Sequence, residues 1–198
     1  MRYLLTGTAA LALAACTNTA ATNEADHAAA ANVALTDEGA VANTAGGTAV
    51  PRSGGATAAL KTAAGKDVGT VTASAGGDGL TFTVDGRMLP AGAHGIHIHG
   101  VGKCEGPKFE SAGPHWNPST KLHGKDNAMG PHVGDLPNLD VGAGGTGTVT
   151  FTVKGAALGG LLDADGSAFM VHAKADDYKT DPSGNSGDRI ACGVFTGG

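Results

Sequence analysis

Seven side chains from residue 97 onward have the types and spacings expected of metal ligands. They comprise six histidines and one aspartate, namely His97, His99, His115, His123, His132, His172 and Asp135. Imidazole nitrogens suit copper and zinc, and a carboxylate oxygen joins them in many zinc sites. We therefore expect a metal centre, although several of these histidines, taken alone, fit an ordinary polar or core position as well.

His97 and His99 lie in a short alternating segment, 95–99. Residues two apart on a β-strand project from the same face, so both imidazoles point one way. Ile96 and Ile98 then point to the opposite face, into a core. The pair can therefore offer two nitrogens to one metal, but an H-x-H pattern by itself is also typical of a solvated strand face.

A second set of candidate ligands lies on a long segment with little periodicity, about 100–147. His115, His123, His132 and Asp135 supply three nitrogens and one oxygen, a closed tetrahedral set suited to zinc. A polar loop with scattered histidines is the alternative. Proline and glycine next to two of the histidines restrain the backbone there and favour the zinc interpretation.

His172 ends an apolar segment, 169–172. In isolation it is better explained as a hydrogen-bonded core histidine. Beside His97 and His99 it supplies a further nitrogen, and nitrogen-rich tetragonal sites suit Cu(II).

The segments that must position these residues alternate apolar and polar side chains, which is typical of half-buried strands. The alternation occurs at 59–62, 68–73, 80–84, 95–99, 148–153, 169–172 and 190–195. The chain holds 34 glycines but only one tryptophan, two tyrosines and five phenylalanines. This composition predicts an all-β domain with glycine-rich turns rather than a large helical core.

The formal net charge of the chain is −5, which gives no reason to expect nucleic acid as a partner. It also provides no general attraction for an anion. Any anionic substrate would therefore need a local positive field.

The N-terminus has the features of an export signal. Met1 and Arg2 give a short positive start, and residues 3–15 form an apolar stretch too short to span a bilayer as a helix. Small residues directly before Cys16 resemble the lipobox of bacterial lipoproteins, in which the cysteine is lipidated and becomes the mature N-terminus. An ordinary cleaved signal with an incidental cysteine is the alternative.

Residues 16–55 are rich in alanine, threonine and asparagine, so we expect a flexible tether between a lipid on Cys16 and a domain at 56–198, with an alanine-rich helix in places as the alternative. Thr17 stands where an aspartate is associated with inner-membrane retention. We therefore expect a periplasmic protein anchored to the outer membrane through Cys16 alone. Cys104 and Cys192 remain as an even pair in an oxidising compartment, where a disulfide can persist.

Four segments together resemble the successive signatures of copper/zinc superoxide dismutases. They are Gly-Ile-His-Ile-His at 95–99, Gly-Pro-His-Trp-Asn-Pro at 113–118, Gly-Pro-His-Val-Gly-Asp at 130–135 and Gly-Asp-Arg-Ile-Ala-Cys-Gly-Val at 187–194. The resemblance runs from about residue 56 to the C-terminus. The segment 101–106, with its cysteine, is most similar to the exported bacterial branch.

The resemblance implies two ligand sets. The copper ligands would be His97, His99, His115 and His172. The zinc ligands would be His115, His123, His132 and Asp135. His115 would thus bridge the two metals, and it would also take up a proton and deliver it to the product.

The resemblance also implies three further roles. Arg189 would sit above copper and bind the anionic substrate. Asp176 would join a copper histidine to a zinc histidine, with a solvated loop acid as the alternative. Cys104 and Cys192 would form the family disulfide.

The implied fold is a flattened eight-stranded antiparallel Greek-key β-barrel with immunoglobulin-like sandwich architecture, a metal-binding loop at 100–147 and an electrostatic loop at 173–188. The implied reaction is dismutation of superoxide to dioxygen and hydrogen peroxide. Copper would alternate between Cu(II) and Cu(I), with zinc as the structural and tuning metal. Monomer and homodimer both remain open. A copper carrier or store of the same fold, or a β-domain with incidental histidines, is the alternative; Arg189 and the complete zinc set favour the enzyme.

Overall fold

The structure is a computed structural model that describes residues 54–198 of the chain. The predicted signal segment, the lipidation site at Cys16 and nearly all of the predicted tether lie outside the described residues. Within residues 54–198, no helix is long and apolar enough to cross a membrane.

Nearly all regular structure in residues 54–198 is β-strand, which confirms the predicted all-β class. The strands are β1 Gly55–Lys61, β2 Asp67–Gly76, β3 Gly79–Gly86, β4 Gly92–His94, β5 Ile96–His99, β6 Leu139–Val141, β7 Gly147–Lys154, β8 Ala168–His172, β9 Arg189–Val194 and β10 Thr196–Gly197. A 3-10 turn, Glu110–Ala112, and one α-helical turn, α1 Leu158–Leu161, complete the described part.

The main sheet has eight strands in the order β5-β8-β9-β1-β2-β3-β7, with β10 beside β1, and all of its pairs are antiparallel. The chain crosses over after β3, to reach β4 and β5, and again after β7, to reach β8. β4 and β6 pair separately. Because β4 leads into β5 and β6 turns back into β7, this second pair joins the two edges of the main sheet. The crossovers and the closure confirm the predicted Greek-key barrel.

The centre of the barrel is formed by alternate residues of β3. Leu80, Phe82 and Val84 are buried, and the threonines between them face outward. The Phe82 ring stacks on that of Phe151 in β7, with centroids 5.6 Å apart, and meets the Phe195 ring edge-on at 6.0 Å. Burying an aromatic or aliphatic side chain of this size contributes about 1.5–3 kcal/mol to folding. The predicted alternation thus produces the core.

β5 and β8 are buried on both faces, which distinguishes them from the outer strands. Ile98 and its partner Phe169 lie in the barrel core, whereas His97 and its partner Met170 face the other way. A second apolar cluster covers that outer face and includes Phe109, Ala112, Ala168, Met170 and Cys192. The metal-binding loop therefore packs over the outer face of β5 and β8.

The predicted disulfide bond between Cys104 and Cys192 is confirmed, and it ties the start of the metal-binding loop to β9. The two cysteines are 88 residues apart. Cross-linking so long a segment lowers the entropy of the unfolded chain, which is worth ~4–5 kcal/mol on the chain-entropy account. The bond thereby holds the loop against the strand that begins at Arg189.

Three short strands and the helical turn have no counterpart in the sequence pattern. β4, β6 and β10 contain two or three residues each, which is too few for an alternating period to be seen. The helical turn contains two glycines, and a Cβ at Gly160 would lie 3.0 Å from the indole of Trp116. These elements depend on contacts between residues that are distant in sequence.

Replacing Phe82 by alanine should lower the free energy of unfolding by about 3–5 kcal/mol, because it leaves a cavity beside the rings of Phe151 and Phe195. Denaturant unfolding followed by circular dichroism measures the change. Thr72→Ala, on the exposed face of the adjacent β2, is the control and should stay within about 0.5 kcal/mol of wild type. Equal losses for both variants would show that the barrel core lies elsewhere.

Candidate metal centre

Backbone hydrogen bonds place the metal-binding loop directly beside β5. Trp116 N donates to Ile98 O at 2.8 Å, Ile98 N donates to Gly134 O at 3.0 Å, and Gly134 N donates to Trp116 O at 2.9 Å. The residues next to these, His115 and Asp135, are thereby brought against the histidines of the strand. A Cβ at position 134 would lie 3.0 Å from Trp116 N, so the close approach requires glycine there.

Four buried imidazole nitrogens converge without a hydrogen-bond partner. They are His97 Nδ1, His99 Nε2, His115 Nε2 and His172 Nε2, and they are the buried side-chain nitrogen or oxygen atoms of residues 54–198 that lack one. Ligand atoms of these four residues lie within 4.8 Å of one another. Buried polar groups are otherwise almost always paired. The four nitrogens therefore fit a nitrogen-rich metal site of the kind that suits Cu(II).

The opposite ring nitrogens of the strand histidines are held by acceptors. His97 Nε2 donates to Asp176 Oδ2 at 2.7 Å, and His99 Nδ1 donates to Gly113 O at 2.8 Å. A proton fixed on one ring nitrogen leaves a lone pair on the other. Each ring is therefore oriented with its free nitrogen toward the site.

His172, at the end of β8, is oriented in the same way, since its Nδ1 donates to Gly187 O at 3.1 Å. Burial lowers the pKa of His172 to about 4, that of His97 to about 3 and that of His99 to about 2. These rings are therefore neutral near pH 7, as metal ligation requires.

A second ligand set surrounds one oxygen of Asp135. The Nδ1 atoms of three histidines lie 2.9–3.0 Å from Asp135 Oδ1, namely those of His115, His123 and His132. The other oxygen accepts from Gly124 N at 2.8 Å and from His132 N at 2.9 Å. Burial alone would raise the pKa of Asp135, but these hydrogen bonds outweigh it and hold the pKa well below the usual range. Three nitrogens and a carboxylate form a closed set that fits zinc.

His115 belongs to both sets. Its Nε2 is one of the four unpaired nitrogens, and its Nδ1 lies 2.9 Å from Asp135. Its ring centroid lies 4.0 Å from that of His97 and 5.2 Å from that of His123. One imidazole can therefore face both metals.

Asp176 contacts one histidine of each set. Its Oδ2 accepts from His97 Nε2 at 2.7 Å, and its Oδ1 accepts from His123 Nε2 at 3.1 Å. Burial lowers the pKa of His123, but its hydrogen bonds to the carboxylates of Asp135 and Asp176 prevail and raise the pKa to about 9. The carboxylate of Asp176 is buried, so it cannot be a solvated loop acid.

Arg189 begins β9, where it pairs with His172, and it lines a cavity of about 580 Å³. Four histidines line the same cavity, namely His99, His115, His132 and His172. The guanidinium donates to Phe109 O at 2.6 Å and to Gly113 O at 2.9 Å. Within residues 54–198 no carboxylate lies within ion-pair distance of it, including that of Asp188. Its charge is therefore available to an anion.

Two residues of the site, Lys121 and Gly184, have no sequence signal that singles them out. Lys121 lines the same cavity as Arg189, and Asn117 holds the Lys121 backbone through hydrogen bonds at 2.9 and 3.0 Å. Gly184 has a φ of +64°, and a Cβ there would lie 2.7 Å from His123 Nε2 and would overlap the Asp176 carboxylate. Both depend on where the folded loops meet.

A Greek-key β-barrel with two ligand sets that share one histidine defines the class of two-metal copper/zinc proteins. The family model described as copper/zinc superoxide dismutase matches residues 68–195. A superoxide dismutase-like protein of Bacillus subtilis is 49% identical over 141 residues, which cover 67% of this chain and 71% of that protein. The Cu-Zn superoxide dismutase of Caulobacter vibrioides is 42% identical over 149 residues, 71% of this chain and 84% of that one.

Solved structures agree with these relationships. The crystal structure of a SOD-like protein from Bacillus subtilis is 44% identical, with a TM-score of 0.68, and the match covers 71% of this chain and 97% of that one. The Cu/Zn superoxide dismutase from Brucella abortus is 30% identical, with a TM-score of 0.60 over 72% and 99% of the two chains. This chain belongs to the copper/zinc superoxide dismutase family.

Replacing Gly184 by alanine should weaken zinc binding by about 10- to 100-fold, the usual effect of disturbing the groups that orient metal ligands. The added methyl group would push Asp176 away from His123. Zinc titration of the metal-free protein against a competing chelator measures the affinity.

Gly155→Ala is the matched control for this variant. Gly155 has a similar φ of +73°, but a Cβ there would meet nothing within 4 Å. Both variants carry the strain of a left-handed alanine, about 1–2 kcal/mol. Zinc affinity that falls equally in both would mean that backbone strain, and not the contact with Asp176, is responsible.

Proposed function

We propose that the protein is an exported enzyme that dismutates superoxide to dioxygen and hydrogen peroxide and so protects the periplasm. The observation that carries the proposal is the shared cavity. Three of the four histidines with an unpaired nitrogen, His99, His115 and His172, line it together with Arg189. An anion held by the guanidinium would therefore lie beside the site that the free nitrogens define. The relatives named Cu-Zn superoxide dismutase support the same activity.

Each of the two ligand sets suits a different metal. The first set would hold copper through His97, His99, His115 and His172. The second set would hold zinc through His115, His123, His132 and Asp135. Copper supplies one-electron redox chemistry when bound, whereas zinc has none and orders the loop.

The chain's own residues bind and orient the substrate and move a proton. Arg189 presents a planar fork of donors that suits a small anion. Superoxide dismutases are an established example of positive clefts that focus an anionic substrate, and Lys121 adds a second positive charge to this cavity. His115 lines the same cavity and can carry a proton at Nε2 toward the bound anion. A copper carrier would need neither the guanidinium nor the closed second set.

Replacing Arg189 by glutamine should lower kcat/KM for superoxide by about tenfold or more, because the cavity loses its main fixed positive charge. Arg189→Lys should retain part of the activity, since it keeps the charge but not the planar fork. Pulse radiolysis of protein loaded with both metals measures the rate constant, and metal analysis verifies equal loading.

Arg87→Gln is the matched control, because it removes an exposed arginine outside the cavity. It should leave kcat/KM nearly unchanged at moderate salt. If wild type and Arg189→Gln are equally inactive with both metals bound, the protein is not a superoxide dismutase.

The location rests on Cys16 and the segment before it. We expect the wild-type protein to fractionate with the outer membrane and its N-terminal peptide to carry lipid on Cys16, as mass spectrometry would show. Cys16→Ser should abolish the lipid and the anchoring while leaving the dismutase domain folded. A wild-type protein that is cleaved at another residue and stays soluble in the periplasm would rule out the lipid anchor.

A further inference from the structure

Asp176 must face His97 with one oxygen and His123 with the other, so its own position has to be fixed from outside the ligand sets. The Asn138 side chain provides part of this support. Asn138 Nδ2 donates to Asp176 O at 3.0 Å, and Asp176 N donates to Asn138 Oδ1 at 2.8 Å. The amide thus pairs with both backbone groups of Asp176 and locks that residue to the segment before β6.

Tyr178 completes this arrangement from the electrostatic loop. Its backbone N donates to Asp176 Oδ1 at 2.6 Å, the oxygen that also accepts from His123. Its hydroxyl oxygen accepts from Asn138 N at 2.8 Å. Tyr178 therefore contacts both Asp176 and the residue that holds Asp176.

The zinc-binding segment contacts Tyr178 on its other side. Lys125 Nζ lies 4.2 Å from the centroid of the tyrosine ring, and Asp126 N donates to Tyr178 O at 3.0 Å. The backbone of Tyr178 has a φ of +62°, a conformation that is uncommon for a residue with a side chain. Contacts from three segments hold the residue in this conformation.

We propose that Tyr178 is a positioning residue for the two-metal centre, acting through Asn138 and Asp176 on the rings of His97 and His123. Its side chain makes no hydrogen bond to any of the seven ligands and instead contacts Asn138 and Lys125. Its hydroxyl and ring connect the segment that carries His123 to the segment before β6, and its backbone amide aims Asp176 Oδ1. The inference rests on the metal centre proposed above and not on turnover of superoxide.

The test removes one hydroxyl group. Tyr178→Phe keeps the ring and its contact with Lys125 but leaves Asn138 N without its acceptor. Zinc affinity of the metal-free protein should fall by about tenfold, the lower end of the range for groups that support ligands. Cobalt(II) placed in the zinc site should show an altered visible spectrum, which reports ligand geometry directly.

Thr180→Val is the matched control, because it also deletes one hydroxyl of the electrostatic loop. Thr180 Oγ1 donates to Asp177 Oδ2 at 2.6 Å, accepts from Asn185 Nδ2 at 3.2 Å and makes no hydrogen bond with Asp176 or Asn138. This variant should retain wild-type zinc affinity and the wild-type cobalt spectrum. A Tyr178→Phe protein that matches the control in both measurements overturns the proposal.

A double-mutant cycle with Asp176→Asn tests the route of the effect. If Tyr178 acts through Asp176, Tyr178→Phe should have little further effect on zinc affinity in the Asp176→Asn protein. An undiminished tenfold loss there overturns the proposed route. A lower melting temperature of metal-free Tyr178→Phe with unchanged zinc affinity makes the residue merely structural and also overturns it. Wild-type protein that binds no zinc would instead overturn the metal centre itself.

Discussion

Burial of four unpaired imidazole nitrogens is the constraint around which the rest of residues 54–198 is arranged. Leaving one polar atom buried without a partner costs about 1–3 kcal/mol. The rings cannot relieve this by rotation, because the opposite nitrogens of His97, His99 and His172 are each held by a carboxylate or a carbonyl. A metal bound by these nitrogens would offset this cost, because it would take up the lone pairs that the fixed rings direct toward one position.

The metal-binding loop has no large apolar core of its own, yet it holds several of the ligands in fixed positions. Over residues 100–138 its regular structure is one 3-10 turn. The disulfide holds its start, and backbone hydrogen bonds at Ile98 hold two later points. The histidines around Asp135 add a third fixed region, where metal binding contributes directly to folding. The second ligand set therefore orders the loop, and the ordered loop positions His115 for the first set.

The period-two pattern of the sequence was sufficient to predict the seven longer strands and the face on which His97 and His99 lie. It could do so because alternation is a local property of a strand. The short strands β4 and β6 could not be predicted, since they form where the crossover brings two distant segments together. Lys121, Asn138 and Tyr178 were missed for the same reason. Their roles come from loops that meet only in the folded chain, whereas the ligands stand out by residue type and spacing together.

One backbone carbonyl links the anion-binding group to the first ligand set. Gly113 O accepts from His99 Nδ1 at 2.8 Å and from the Arg189 guanidinium at 2.9 Å. The second guanidinium hydrogen bond goes to Phe109 O, in the segment that the disulfide ties to β9. The charge that attracts the anion and the ring that faces the metal are therefore fixed to the same short stretch of chain. Because that stretch directly precedes His115, the same backbone also positions a histidine that belongs to both ligand sets.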